Sequence, residues 1–308
     1  MTAVFGLFVG MSLGTTCARC GGLGTEIVPG PGSSTVGVVE VLGAITDGRL
    51  EVRRVRELAR DTSIDAILVR IDSPGGAVAP SQEIFEALRQ AARAKPVVAS
   101  IGTVGASGGL WIALGADRIF ASAGSITGSI GVITYGFDLR GLAEKLAVAP
   151  RVFRSGTQKD SGNPFSPVSP EEEASTMDLI ADVYDQFVDT VASRRQLTPD
   201  HVRTFADGRI MSGRVARDVG LVDQLGGLYE AAREAAWLAE SRAEQEAGRV
   251  APERKPDDEQ DPTLVYPKPP PSGLIRALTE DVGSAAGRAM QSIARELAGG
   301  SSVRVEAR

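Results

Sequence analysis

The chain has 308 residues, 43% of them apolar and 23% charged, enough to bury the core of one large domain or two modest ones. Its formal net charge of -6, with no basic stripe visible along the sequence, argues against a nucleic-acid partner, because phosphate binding rests on clustered Lys and Arg. The two cysteines, Cys17 and Cys20, lie close together near the N-terminus without the further ligands of a common zinc site, and no cofactor is called for.

Residues 1–18 carry no charge and include the apolar run Val4 to Leu13, shorter than the ~20 residues a spanning helix needs. The run reads as a signal anchor or signal-peptide core, although the positive segment that usually precedes one is missing. That reading puts the remainder of the chain on the extracytoplasmic (periplasmic) side of the cell membrane. A Gly/Pro/Ser stretch, Pro29 to Ser34, closes this segment, so residues 1–34 are separated from a domain expected over 35–240.

Within that domain, Val36 to Leu42 reads as a buried strand and Leu50 to Arg60 as a helix with apolar positions at helical spacing. A strand, loop, helix pattern then recurs. Asp65 to Ile71 ends in the loop Asp72-Ser73-Pro74-Gly75-Gly76, and the helix that follows reaches about Ala94. Pro96 to Ile101 ends in Gly102-Thr103-Val104-Gly105-Ala106-Ser107-Gly108-Gly109, with a helix from Leu110 to about Gly115. Strands alternating with helices predict parallel pairing and βαβ crossovers, which put both glycine loops at carboxyl ends of strands, where α/β proteins build their sites.

A further strand, Arg118 to Ala121, leads into Gly124-Ser125-Ile126-Thr127-Gly128-Ser129-Ile130-Gly131, and the loop Ser155 to Pro170 carries Lys159. Next comes a long helix with Pro170 near its start and Glu171, Glu172 and Glu173 in its first turn, where the helix dipole favours negative charge. Two or three more helices are expected over 198–240. Residues 241–272 turn charged and proline-rich, the composition of a linker, interrupted by the short run Thr263 to Tyr266; residues 273–308 hold a candidate amphipathic helix.

Gly105-Ala106-Ser107-Gly108-Gly109 fits G-x-S-x-G, which holds a serine on a sharp turn after a strand with its hydroxyl exposed. Glycine-flanked serines also occupy plain turns, so the segment decides nothing until a base is found, because a hydroxyl is a poor nucleophile near neutral pH. The chain has one histidine, His201, in a charged stretch that reads as an exposed helix start. Lysine is the other known partner of a catalytic serine. Lys95 starts a strand, Lys145 sits in a helix beside Glu144, and Lys255 and Lys268 lie in the proline-rich tail, which leaves Lys159 in its glycine- and serine-bearing loop. An ammonium acts as a base only after losing its proton, and burial in an apolar site favours that loss. The site should therefore be dry, and Phe153, Phe165 and Val168 flank Lys159 in sequence. An oxyanion also needs amide donors, and Gly75 or Gly76 together with Gly108 would supply them from adjacent parallel strands.

Taken together, Asp72 to Gly76, Ala106 to Gly109, Thr127 to Gly131 and Ser155-Gly156 followed by Lys159-Asp160 resemble the successive motifs of the signal peptide peptidase A (SppA) family of serine peptidases. Gly208-Arg209 with Gly213, then Gly220 to Asp223, is similar to that family's closing helices, so the resemblance covers about residues 36–240 in order. It implies an α/β fold of the Clp protease/crotonase type, a repeated ββα superhelix with a C-terminal helical region, in a short form with one copy of the motif set. It also implies Ser107 as nucleophile, Lys159 as general base, Ser129 as the residue orienting the lysine amine, and Gly75 with Gly108 as the oxyanion hole. Expected partners are hydrophobic peptides such as cleaved signal peptides at the membrane, and further copies of the chain in a ring whose catalytic pairs are completed across subunits in some members. Other readings are a SohB-like or phage capsid-maturation peptidase with the same dyad, an esterase pairing Ser107 with His201, and a non-catalytic crotonase-like scaffold.

Overall fold

The computed structural model describes residues 25–251 and 260–267. Both cysteines, the run Val4 to Leu13 and the candidate helix after residue 273 lie outside the described residues. One compact unit spans Ile27–Tyr266; a second comprises residues 1–26 and 267–308, nearly all of it outside the described residues.

The centre of the larger unit is a sheet built from runs of β-branched and aliphatic residues. Its strands are β1 (Thr25–Val28), β2 (Thr35–Leu42), β3 (Ala66–Ser73), β4 (Val97–Ala106), β5 (Arg118–Ala121), β6 (Ile126–Gly128), β7 (Ile210–Ser212), β8 (Gln224–Leu225) and β9 (Thr263–Pro267). The order is β1-β9-β2-β3-β4-β5-β8, with β6 pairing β4 and β7. Pairings from β9 through to β8 are parallel, as is β4 with β6, whereas β6 and β7 run antiparallel.

Helices cover both faces, so the central strands are apolar on both sides, as parallel strands must be. Side chains alternate between two cores. Val39, Val41, Ile67, Val69, Ile71, Ala99 and Ile101 face one core; Val36, Val38, Ala66, Leu68 and Val98 face the other. The first core receives α1 (Arg49–Arg60), α2 (Val78–Ala91), α3 (Gly108–Ala113) and the second half of α5 (Pro170–Arg195). Short helices α6 (Pro199–Arg203) and α7 (Gly213–Asp218) add Val202 and Ala216 to that core, α4 (Arg140–Lys145) is a further short helix, and α8 (Leu228–Glu246) covers the second core. α8 does so through Ala231, Ala232, Ala235 and Ala236, whose small side chains let the helix lie close to the strands.

Helix boundaries follow from local chemistry. Ser169 caps α5 by accepting from Glu172 N–H at 3.1 Å, with Pro170 at the first helical position, and Gln196 ends the helix in a left-handed conformation. Gly227 N–H donates to Glu230 at 2.7 Å at the start of α8. On α1, Val52, Val55, Leu58 and Ala59 turn inward while Arg49, Arg53, Arg56 and Arg60 share the outer face, spaced three and four residues apart.

Among the elements that differ from the sequence reading are β4 and β9. β4 does not stop at Ile101 but continues through the glycine run to Ala106, because a second partner strand, β6, takes up its later residues. Thr263 to Tyr266, which reads as an interruption within a linker, lies in β9, inserted between β1 and β2 with Leu264 buried in the second core.

Candidate active site

The first four pairs of β4 lie opposite β5, from Val98 with Arg118 to Ile101 with Ala121; its last three lie opposite β6, from Val104 with Ile126 to Ala106 with Gly128. Between these two pairings the strand bulges. On the β3 side, Ile71 pairs with Ile101 but Ser73 pairs with Gly105, so residues 102–104 of β4 outnumber their single counterpart, Asp72. A bulge leaves amides without ladder partners and re-aims the strand. Here side chains take those partners' place. The Asp72 carboxylate accepts from Thr103 N–H and from Val104 N–H, each at 3.1 Å, one amide to each oxygen. Ser125 donates to the Gly102 carbonyl at 2.6 Å, and Thr127 donates to the Gly105 carbonyl at 2.7 Å.

The re-aimed strand delivers Ser107 onto the turn before α3 with φ 52° and ψ -120°, a conformation that costs a non-glycine residue energy and persists only where surroundings enforce it. Ser107 N–H donates to the Gly128 carbonyl at 2.9 Å, and its carbonyl accepts from Trp111 N–H at 3.0 Å. Trp111 in turn stacks on Phe187 of α5, ring centroids 4.4 Å apart, which fixes the short helix from behind. Ser129, next in register beyond the β4–β6 pairing, is also at positive φ, 53°, and its N–H donates to the Arg209 carbonyl at 2.7 Å. Ser107 and Ser129 thus stand at the ends of neighbouring parallel strands, both half-buried.

The glycine turn after β3 lies against the same point. Gly75 has φ +99°, and a Cβ there would fall 2.7 Å from Gly108 N and 2.8 Å from Ser107 Cβ. Only glycine fits. The Gly75 N–H donates to the buried Ser73 hydroxyl at 3.1 Å, and the Gly75 carbonyl accepts from Ile45 N–H at 2.9 Å. Gly76 N lies 3.3 Å from the place a Gly108 Cβ would take, so the glycine turn packs against the start of α3.

Ser107, Ser129, Gly75 and Gly108 therefore come together at the ends of β3, β4 and β6. Lys159 sits on a 3-10 turn, Thr157–Asp160, and is exposed. Its expected apolar wrapping does not close within one chain: Phe153 is 94% exposed, and Phe165 and Val168 are also exposed. The other residues weighed as a base are placed elsewhere. Lys95 donates to the Leu58 carbonyl at 2.9 Å and to the Asp61 carbonyl, closing the end of α1, and burial pushes its ammonium pKa down. His201 stands exposed on α6, its ring edge-on to Phe205 at 5.8 Å. The bracing side chains Asp72, Ser73, Ser125 and Thr127 escaped the sequence reading of the site. Their one signal is that polar residues stand inside runs that the glycines already mark.

A parallel α/β sheet that carries a serine on a strained strand-to-helix turn, with a glycine turn packed against it, is the arrangement of an α/β serine hydrolase. Peptidase family S49 matches residues 89–242, half of the chain. A putative protease of Synechocystis sp. is 43% identical over 242 residues, covering 78% of this chain and 81% of its own. A putative signal peptide peptidase SppA of Enterococcus faecium is 36% identical over 174 residues, 56% of this chain and 51% of its own, and protease 4 of Haemophilus influenzae is 34% identical over 218 residues, 67% and 35%. The chain belongs to the S49 family of peptidases, that of signal peptide peptidase SppA, and is a serine peptidase. It spans about half the length of the Enterococcus relative and about a third of protease 4.

Proposed function

We propose that the protein is a Ser-Lys endopeptidase that cleaves hydrophobic peptides, such as remnant signal peptides, at the extracytoplasmic side of the cell membrane. The observation that carries this reading is the convergence of strained Ser107, the Gly75–Gly76 turn, Gly108 and Ser129 at the ends of neighbouring parallel strands. Ser107 Oγ attacks the scissile carbonyl, and its proton passes to the Lys159 amine, which later returns it to the leaving amine. Ser129 orients that amine. The negative oxygen of the tetrahedral intermediate is held by Gly108 N–H and the Gly75–Gly76 turn, the Gly75 amide taking part by leaving Ser73.

Lys159 reaches a dry site through assembly. Ile133, Tyr135, Phe137, Leu146, Phe153 and Val168 are all exposed along residues 131–169, more apolar surface than an isolated chain ordinarily leaves in water. A neighbouring copy in a ring covers this arm, buries Lys159 and brings it to a Ser107 across the interface. The parallel-rich sheet supports the Clp protease/crotonase type of fold for such a ring. Among the described residues no helix is long and apolar enough to cross a membrane, so attachment rests on the run Val4 to Leu13.

The test is hydrolysis of a hydrophobic fluorogenic peptide by the full chain and by Ser107→Ala, Lys159→Ala and His201→Ala at matched folding. Loss of turnover in the first two with the third unaffected is expected. Turnover that survives Lys159→Ala but not His201→Ala would replace the dyad with a Ser-His site.

A further inference from the structure

The bulge in β4 has no role in the peptidase chemistry itself, yet it is what carries the strand from β5 to β6 and so to Ser107. Two residues in excess of the β3 ladder would leave a deficit of partners for the amides of exposed Thr103 and half-buried Val104. One side chain removes it. Asp72 spans both orphan donors, Thr103 N–H and Val104 N–H, with separate oxygens, and its own carbonyl accepts from Gly43 N–H at 2.9 Å. Charge-assisted bonds of this kind are roughly twice as strong as neutral ones. The bulge is also packed too tightly for a side chain of its own, since a Cβ on Gly102 would fall 2.5 Å from Asp72 Oδ2.

Asp72 is followed by Ser73, which binds the Gly75 amide, so adjacent side chains on one strand end reach in two directions. One holds the strand leading to the nucleophile, and the other holds the turn that lies against it. We infer that Asp72 is a positioning residue for the peptidase reaction: it holds the β4 bulge in the one geometry that sets Ser107 beside the Gly75–Gly76 turn. It touches neither substrate nor the reacting atoms. The inference rests on the reading of Ser107 as nucleophile.

The experiment measures the rate constant for labelling of Ser107 by a small fluorophosphonate, alongside kcat and KM on the fluorogenic peptide, in the full chain and in Asp72→Ala and Asp72→Asn. The labelling rate constant belongs to the folded fraction alone, so partial unfolding of a variant lowers its amplitude and not its value. Asp72→Ala is expected to lower both the labelling rate constant and kcat by about 100-fold, the scale of a misplacement of about 1 Å, with KM within about threefold of wild type. Asp72→Asn keeps one acceptor oxygen but sets an NH2 group against the second amide, and is expected to fall between the two. Labelling of Asp72→Ala or Asp72→Asn at the wild-type rate would overturn the inference while leaving Ser107 in place as nucleophile. A wild-type protein that is not labelled at Ser107 would instead overturn the reading on which it rests.

Discussion

At the scale of single residues, the site is a problem of close approach. Gly75 sits where a methyl group would meet Gly108 N at 2.7 Å, and its φ of +99° is one that side chains rarely adopt. Gly75→Ala is therefore expected to lower the unfolding free energy by about 1–3 kcal/mol and to abolish peptide hydrolysis, checked by denaturant titration and by turnover. Ser107→Ala should do the opposite for stability, because alanine loses the hydroxyl without a new clash; equal or greater stability with no turnover is the expected pair of results. The sharp turns at Ser107 and Gly75 were legible in the sequence because each is tied to a backbone requirement that few residue types meet. Asp72 and Ser125 were not. Their importance lies in which amides and carbonyls they meet, and those partners are fixed only once β4 is known to bulge.

At the scale of elements, the chain reads well wherever one partner decides the outcome. Apolar runs bounded by Gly and Pro gave β2, β3 and β5 within two residues, and Pro170 with the three glutamates after it gave the start of α5. Reading fails where an element depends on a second neighbour. Gly102 to Ala106 looks like a loop by composition, but β6 lies alongside its later residues and makes it strand; Thr263 to Tyr266 is too short to stand alone, and β2 is the template that pairs it. The α5 cap gives a quantitative check: Ser169→Ala should cost about 1 kcal/mol in denaturant titration. Trp111→Ala should cost more, about 3–5 kcal/mol, because it empties the stack on Phe187 beneath α3. It should also slow labelling of Ser107, since α3 begins at the next residue.

At the scale of the whole molecule, the proposed site needs a second copy. Ser107 is held by its neighbours, yet Lys159 stands exposed on a segment whose aromatic and aliphatic side chains also face solvent, Phe153 at 94% and Ile133 at 86%. No sequence pattern distinguishes such a segment from a poorly packed loop, because on the proposed reading what covers it lies outside the chain. Replacing Phe153 by Glu should leave the thermal unfolding of the body nearly unchanged while shifting the sedimentation coefficient to that of a smaller species and removing turnover. Unchanged sedimentation with full activity would place the arm outside any interface.

The most direct test of a Ser-Lys site completed between copies is complementation. Ser107→Ala and Lys159→Ala chains, each inactive alone, are co-expressed and assayed on the fluorogenic peptide. Recovery to about a quarter of wild-type turnover is predicted, the share of interfaces in a random equal mixture that pair an intact serine with an intact lysine. A co-assembled mixture that stays as inactive as its parents would contradict the account and return Lys159 to the serine of its own chain.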